Sequence, residues 1–447
     1  MANKKELSLF KLTWPIFLEL FLFMLMGLVD TFMLSSVSDE AVAGVGAANQ
    51  YVQIAILILG VIGTGASIVI SQYIGSHRLL DVTKLSALSV TLNLIVGVVV
   101  SVIFIIFSGK ILSAMNLEGE VLAAATTYLA FVGGSIFFQA IITSASAIIR
   151  VQGLTKQTMY LAAGMNFLNA LFNYLFIFGK FGFPEMGVAG AGLSSVISRG
   201  IAAVVFFWLL YRSLEIKIEY RYFYTFSKNY VKEIMKIGIP SAVEQILYQA
   251  CQLVFLYYVT YLGAASLAAR QYAVNISMFT YLFALAIGTG TAILIGRSVG
   301  AGEKDIAYNR AWSSVKKAML LTIPTVAIIT IFREPFMRLF TTDEEVIAIG
   351  ASVLLYGIVL ETGRAINLTF INALRATGDA RYPVRIGFLT MVCVSLSLGY
   401  LFVFVMDMGL IGIWLAIAAD EWLRAIFVLF RWRSRKWERY SIVSSSN

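Results

Sequence analysis

Residues 85–107 read LSALSVTLNLIVGVVVSVIFIIF, 23 positions without a single charge. A bilayer hydrocarbon core about 30 Å thick needs about 20 apolar residues of helix, and this stretch reaches that length by itself. Working outward, comparable runs lie at about 12–35 and 44–73 before it, and at about 121–149, 157–178 and 187–211 after it. A polar stretch from Arg212 to Lys232 follows, and the runs then resume at about 235–262, 266–296, 310–332, 346–374, 383–406 and 409–430. Backbone polar groups cannot go unpaired in lipid, so runs of this kind must be helical. The expectation is an all-α polytopic membrane protein with twelve transmembrane helices in two six-helix bundles. Its parts are an N-terminal lobe (1–211), a cytoplasmic linker (212–234), a C-terminal lobe (235–432) and a basic cytoplasmic tail (433–447).

Composition agrees with this reading. Of 447 residues, 59% are hydrophobic and 13% charged, with a mean hydropathy of +0.84, whereas soluble chains carry about 25% charged residues. A secreted disulfide protein, a nucleic-acid binder and a conventional soluble enzyme are thereby excluded. Cys251 and Cys393 fall in apolar runs and read as small hydrophobes rather than a disulfide or metal site. The one histidine, His77, lies in a polar connector, so no metal and no cofactor is expected. The net charge of +9 is a matter of topology. With a cytoplasmic N-terminus, 26 of the 34 Lys and Arg residues fall on the inside and only Lys110, Lys180, Arg333 and Arg338 outside. Arg199, Arg270, Arg364 and Arg424 fall within or at the edge of spans. The positive-inside rule then places both termini in the cytoplasm. Lys4 and Lys5 ahead of the first run imitate a signal peptide, but the run is long enough to span and is expected to stay in the protein.

An internal repeat organises the chain. Shifting the sequence by 225 positions lays Pro15 on Pro240, Glu19 on Glu244, and Gly63-Thr64-Gly65 on Gly288-Thr289-Gly290. The same shift lays Gly75 on Gly300, Arg150 on Arg375 and Gly153 on Gly378. A nearby shift pairs Met186-Gly187 and Gly190 with Met408-Gly409 and Gly412. Repeats with an even number of spans are parallel, related by an axis along the membrane normal, and alternating access between them makes a transporter. A membrane-embedded enzyme would need a metal cluster or a nucleophile–base pair inside the bilayer. A primary pump would need G-x-x-x-x-G-K-[ST], which does not occur.

The repeated elements resemble the multidrug and toxic compound extrusion (MATE) family, most closely its DinF branch, over nearly the whole chain. The residues that carry the resemblance are Pro15 with Val29-Asp30-Thr31, Gly63-Thr64-Gly65 with Gly75, and Arg150-Val151-Gln152-Gly153. To these are added NALFNYLFIFG (169–179) with Pro184 and Met186-Gly187, and Ala373-Leu374-Arg375 with Gly378-Asp379. The resemblance implies secondary antiport that extrudes lipophilic organic cations against inward proton or sodium flow. Two departures narrow it. Asn173 stands where many relatives carry Asp, and Arg364 stands where the sodium-coupled NorM branch has an Asp in its tenth helix. A cation in place of a sodium ligand argues against sodium coupling in the C-lobe.

Ionisable residues within spans are functional candidates by default. Asp30 comes first, near the outer third of the first span. An apolar cavity favours the neutral form of a carboxylic acid and a bound organic cation favours the ionised form, so one carboxylate can couple two fluxes; a solvated acid at the helix end is the competing reading. Asn169 and Asn173, four apart, share a helix face and form a polar network with Ser195, or with Ser194 beside it, around Asp30. Alternatively they only hold helices together. Met24, Met26 and Met33 line an adaptable pocket or face lipid and core. Glu19 is expected to play a structural role. In the C-lobe, Glu244 is expected to form a salt bridge with Arg364, with Glu361 one turn from that arginine, and Asp420-Glu421 with Arg424 reads as an intramembrane ion pair. The resulting expectation is a monomeric, proton-coupled multidrug antiporter of the cell membrane, whose partners are lipophilic organic cations, protons and the lipid bilayer. Nucleic acid is not among them. A lipid-linked oligosaccharide flippase of the same superfamily and a sodium-coupled drug antiporter are the alternatives.

Overall fold

Apolar length converts directly into helix. In a computed structural model, residues 7–115 and 117–443 are described, and among them there is no β-strand. The first repeat supplies α1 (Leu9–Ser35), α2 (Asp39–Gly75), α3 (Leu79–Ser113), α4 (Gly119–Gly133 and Ile136–Val151), α5 (Thr155–Ile177) and α6 (Gly187–Ser213). The second supplies α7 (Lys228–Thr260), α8 (Ala264–Gly300), α9 (Lys304–Ile331), α10 (Glu344–Leu355 and Gly357–Thr377), α11 (Arg381–Val405) and α12 (Gly409–Arg433). Eight of these are long and apolar enough to cross a membrane unaided, and α4 and α10 qualify as bent pairs. The other two, α7 and α12, are 33 and 25 residues long but more polar. At 1.5 Å rise per residue both are long enough to span.

Local chemistry sets the ends. Ser38 caps α2 by accepting from the Ala41 amide, and Asp39 and Glu40 occupy the first turn, where negative charge complements the helix dipole. At the far ends of α4 and α10, Gly153 and Gly378 take φ of 91° and 100°, a left-handed conformation that glycine adopts at little steric cost.

The repeat is visible in three dimensions. Helices α2 and α8 are both 37 residues long, and α4 and α10 bend by 46° and 47°. Their runs, continuous in sequence, are broken in space, with a π-turn (Leu129–Gly133) leading into the break of α4. A Cβ on Gly133 would lie 2.6 Å from the Phe104 ring, so the bend is packed closely against α3.

Two compact units divide the described residues, those within Trp14–Gly238 and residues 7–13 together with 239–443. Both division points come just before a proline, Pro15 or Pro240, 225 residues apart. Within the first unit a Cβ on Gly65 would meet the Ile234 carbonyl oxygen at 2.2 Å, and one on Gly238 the Val61 carbonyl at the same distance. Within the second, Gly290, the repeat mate of Gly65, lies against Thr13 and Leu9. Small residues let helix backbones approach closely, which accounts for the recurring Gly-Thr-Gly.

Each unit has its own apolar core: Leu34, Val52, Leu59, Leu129 and Ile136 in the first, and Phe255, Ile276, Leu354 and Trp414 in the second. The tail folds back on the second unit. Trp437 stacks on Trp432 at 4.4 Å and both are fully buried, while Arg435 pairs with Asp305 and Arg431 with Asp379. Cys251 is buried but Cys393 is exposed. Lys4, Lys5 and the last four residues of the tail lie outside the described residues.

Candidate functional site

Three helices of the first unit build a polar chain. Helix α1 presents Asp30, α5 presents Asn169 and Asn173 one turn apart on a single face, and α6 presents Ser195 and Ser198. Asn173 Nδ2 donates to Asp30 Oδ1 at 2.6 Å and to Asn169 Oδ1 at 3.3 Å. Asn169 Nδ2 in turn donates to the hydroxyls of Ser195 (3.3 Å) and Ser198 (3.4 Å). Both asparagines are 1% exposed, whereas Asp30 is half-buried; one end of the network thus reaches accessible space and the other is sealed. Tyr128 of α4, also buried, closes the sealed end against Ser195 and Asn49. Arg199 acts on Asp30 electrostatically, yet Asp30 makes no ion pair among the described residues. Arg199 Nη1 and Asn173 Oδ1 are buried without a hydrogen-bond partner.

Ser194 is separate from this chain, since its hydroxyl donates to the Gly190 carbonyl at 2.7 Å. Met24 and Met26 are half-buried on α1, and Met33 packs against the core of the first unit.

Two carboxylate–arginine pairs are repeat mates. Arg150 approaches Glu19 at 3.8 Å, with Thr158 donating to the same carboxylate at 3.0 Å. Arg375 Nη2 donates to Glu244 Oε2 at 2.7 Å. The expected Glu244–Arg364 bridge is therefore corrected: the partner of Glu244 is Arg375. The reason is depth in the bundle. Arg364 and Arg375 stand eleven residues apart on α10, about 16 Å along the axis, and only the latter comes level with Glu244.

Arg364 belongs to a different cluster. It donates to Glu361 at 2.6 Å and to Glu421 at 3.3 Å. Arg424 pairs with Asp420 at 2.6 Å and with Glu421 at 3.4 Å, and Asn367 donates to Glu421 at 2.7 Å. Three carboxylates thus surround two guanidinium groups. Such a buried cluster offsets the desolvation of each ion only while all partners remain. Beside it lies a cavity of about 340 Å³ between α7, α8, α10 and α12, lined by Glu361 and Arg364 together with Arg270, Tyr248, Tyr281 and Trp414.

The repeat also governs likeness to known proteins. The MatE family model matches twice, at residues 15–175 and 240–401. The chain belongs to the MatE family. Proteins of this family are membrane transporters and not enzymes, and so is this chain.

Among its MatE relatives is the Bacillus subtilis protein "Uncharacterized transporter YisQ", 39% identical over 97% of this chain and 95% of that protein. Another is the "Probable multidrug resistance protein NorM" of Thermotoga maritima, 30% identical over 98% of this chain and 94% of that one. Solved structures share the fold. An outward-facing multidrug resistance MATE transporter of the MOP superfamily has a TM-score of 0.89 at 21% identity, covering 97% of this chain and 98% of that one. A MOP superfamily transporter from Pyrococcus furiosus gives 0.87 at 21%, covering 96% and 95%.

Within this MatE chain, sequence reasoning missed Ser198, Tyr128, Asn49 and Asn367. Ser198 had a usable signal, since it follows Ser195 by three residues and so shares its face. Tyr128 and Asn49 had none, because their approach depends on how α2 and α4 pack against α6.

Proposed function

We propose that the chain is a proton-coupled multidrug antiporter of the cell membrane that exports hydrophobic, mostly cationic compounds. In this reading it acts as a monomer with both termini cytoplasmic. The observation that carries it is Asp30, a half-buried carboxylate held on one oxygen by Asn173 and not neutralised by an ion pair among the described residues. Such a group attracts an organic cation while ionised. Protonation removes the countercharge and releases the cation, so proton and drug alternate on one carboxylate. Asn173 fixes the rotamer of Asp30 through an amide that carries no charge in either state, leaving Asp30 as the titrating member. The names of multidrug resistance relatives support the substrate class.

Efflux of a fluorescent organic cation from proteoliposomes, under a proton gradient or a sodium gradient imposed separately, tests the reading. Asp30→Asn should insert and fold, since an amide is cheaper in the membrane than a carboxylate, yet transport should cease. Wild type should bind the cation more weakly as pH falls, and Asp30→Asn should lose most of that dependence. Equal pH dependence in the two proteins would remove Asp30 from the coupling role.

A further inference from the structure

The cavity of the second unit has a charge pattern that the Asp30 reading does not use. Every acid in the neighbouring cluster is engaged by Arg364 or Arg424. Arg270 is not so engaged. It stands six residues into α8, about 9 Å from the helix start. Among the described residues it makes no ion pair, and its Nη2 donates to a neutral acceptor, Gln252, at 3.2 Å. An arginine within a membrane span is expensive and is normally paired, so this guanidinium is held ready for an anion.

The rest of the wall agrees. Trp414 is 3% exposed, lines the cavity, and has an indole N–H without a partner. Tyr248 and Tyr281 add two aromatic side chains to the lining, the Tyr281 ring carrying the Arg364 guanidinium 5.8 Å from its centroid. The charged lining residues are two arginines and one glutamate, Glu361, leaving the wall one positive charge in excess. Glu361 is held by Arg364 at 2.6 Å, so its charge is already engaged beside the cavity. The volume of about 340 Å³ falls at the lower end of the range of about 300–1,000 Å³ for small-molecule sites.

From this geometry we infer that the C-lobe cavity is a binding site for amphipathic aromatic carboxylates, with the carboxylate on Arg270 and the ring among Tyr248, Tyr281 and Trp414. Arg270 is the specificity-determining residue, because its planar fork matches a carboxylate bidentately. The site is separate from Asp30 and extends the ligand range to anions and zwitterions.

The test compares naphthylacetate with its neutral amide, naphthylacetamide, by equilibrium dialysis against the purified full-length protein, with empty micelles as the blank. Wild type should hold the acid about tenfold more tightly than the amide, the effect of one charge-assisted hydrogen-bonded pair. Arg270→Gln should bring the acid down to the level of the amide. Arg270→Lys, which keeps the charge but loses the fork, should retain part of the preference, and it decides the matter if Arg270→Gln does not give folded protein. Asp30→Asn should leave the preference intact, so failure here is distinguishable from failure of the Asp30 reading. Equal binding of acid and amide by wild type overturns the proposal, as does an unreduced preference in either Arg270 variant.

Discussion

Glu244 and Arg375 allow the packing of the C-terminal unit to be tested by a single cycle of substitutions. Their contact is 2.7 Å long, and the side chains are 9% and 15% exposed. A hydrogen bond between charged groups contributes about 1.5–3 kcal/mol net, and stranding one member of a buried pair costs about 3–5 kcal/mol. The two halves should not be equal. Glu244→Gln leaves Arg375 a neutral acceptor of the same shape, so the loss should stay near the hydrogen-bond figure. Arg375→Met leaves the less exposed carboxylate without its donor, so the loss should approach the stranding figure, reduced by the attraction of nearby Arg424 for Glu244. Once both changes are present neither charge is stranded, and the double variant should be no worse than Arg375→Met alone. Unfolding of the purified protein in mixed micelles with rising dodecyl sulfate, followed by tryptophan fluorescence, gives the four free energies. The coupling should be at least about 1.5 kcal/mol. A parallel cycle of Glu244→Gln with Arg364→Met should show a clearly smaller coupling, since the two meet only through the Arg424–Glu421 pair. Additivity for Arg375, or equal coupling to Arg364, would refute the assigned partners.

Three further outcomes follow from named contacts. Asn173→Leu removes the 2.6 Å hydrogen bond to Asp30 and should shift the pH at which drug binding is lost while leaving folded yield within about twofold; an unchanged pH profile would show that Asn173 does not act on Asp30. Gly65→Leu places a side chain where even a Cβ comes within 2.2 Å of a carbonyl oxygen, whereas Gly60 on the same helix has open space within 4 Å. The first should abolish folded protein in size-exclusion profiles, and Gly60→Ala should be neutral or stabilising by up to about 1 kcal/mol. On the proposed proton coupling, an inward sodium gradient, with the proton gradient and voltage held at zero, should drive no efflux, because Arg364, bound to Glu361 and Glu421, stands where the resemblance to the sodium-coupled NorM branch would place a carboxylate; measured sodium-driven efflux would overturn this.

The sequence by itself determined the helices and their doubling. Helix formation in a membrane depends on the length of an apolar run, a property of neighbouring residues, so the run at 85–107 and its companions could be read without knowledge of packing. The repeat was legible for a similar reason, since a constant offset of 225 is a property of order along the chain. Asp30 stood out because a carboxylate late in an apolar run is costly wherever the helix is placed. Tertiary structure decided the partners. Which acid an arginine meets depends on its depth and on the rotation of two helices about their axes, and neither is written in the spacing along one of them. Glu244 therefore found Arg375 rather than Arg364, three turns away on the same helix. Asp30 was held by Asn173 and backed by Ser198 and Tyr128, and Arg270 was left facing a cavity instead of an acid. Each of these outcomes required helices distant in sequence to be brought side by side, which only the folded bundle does.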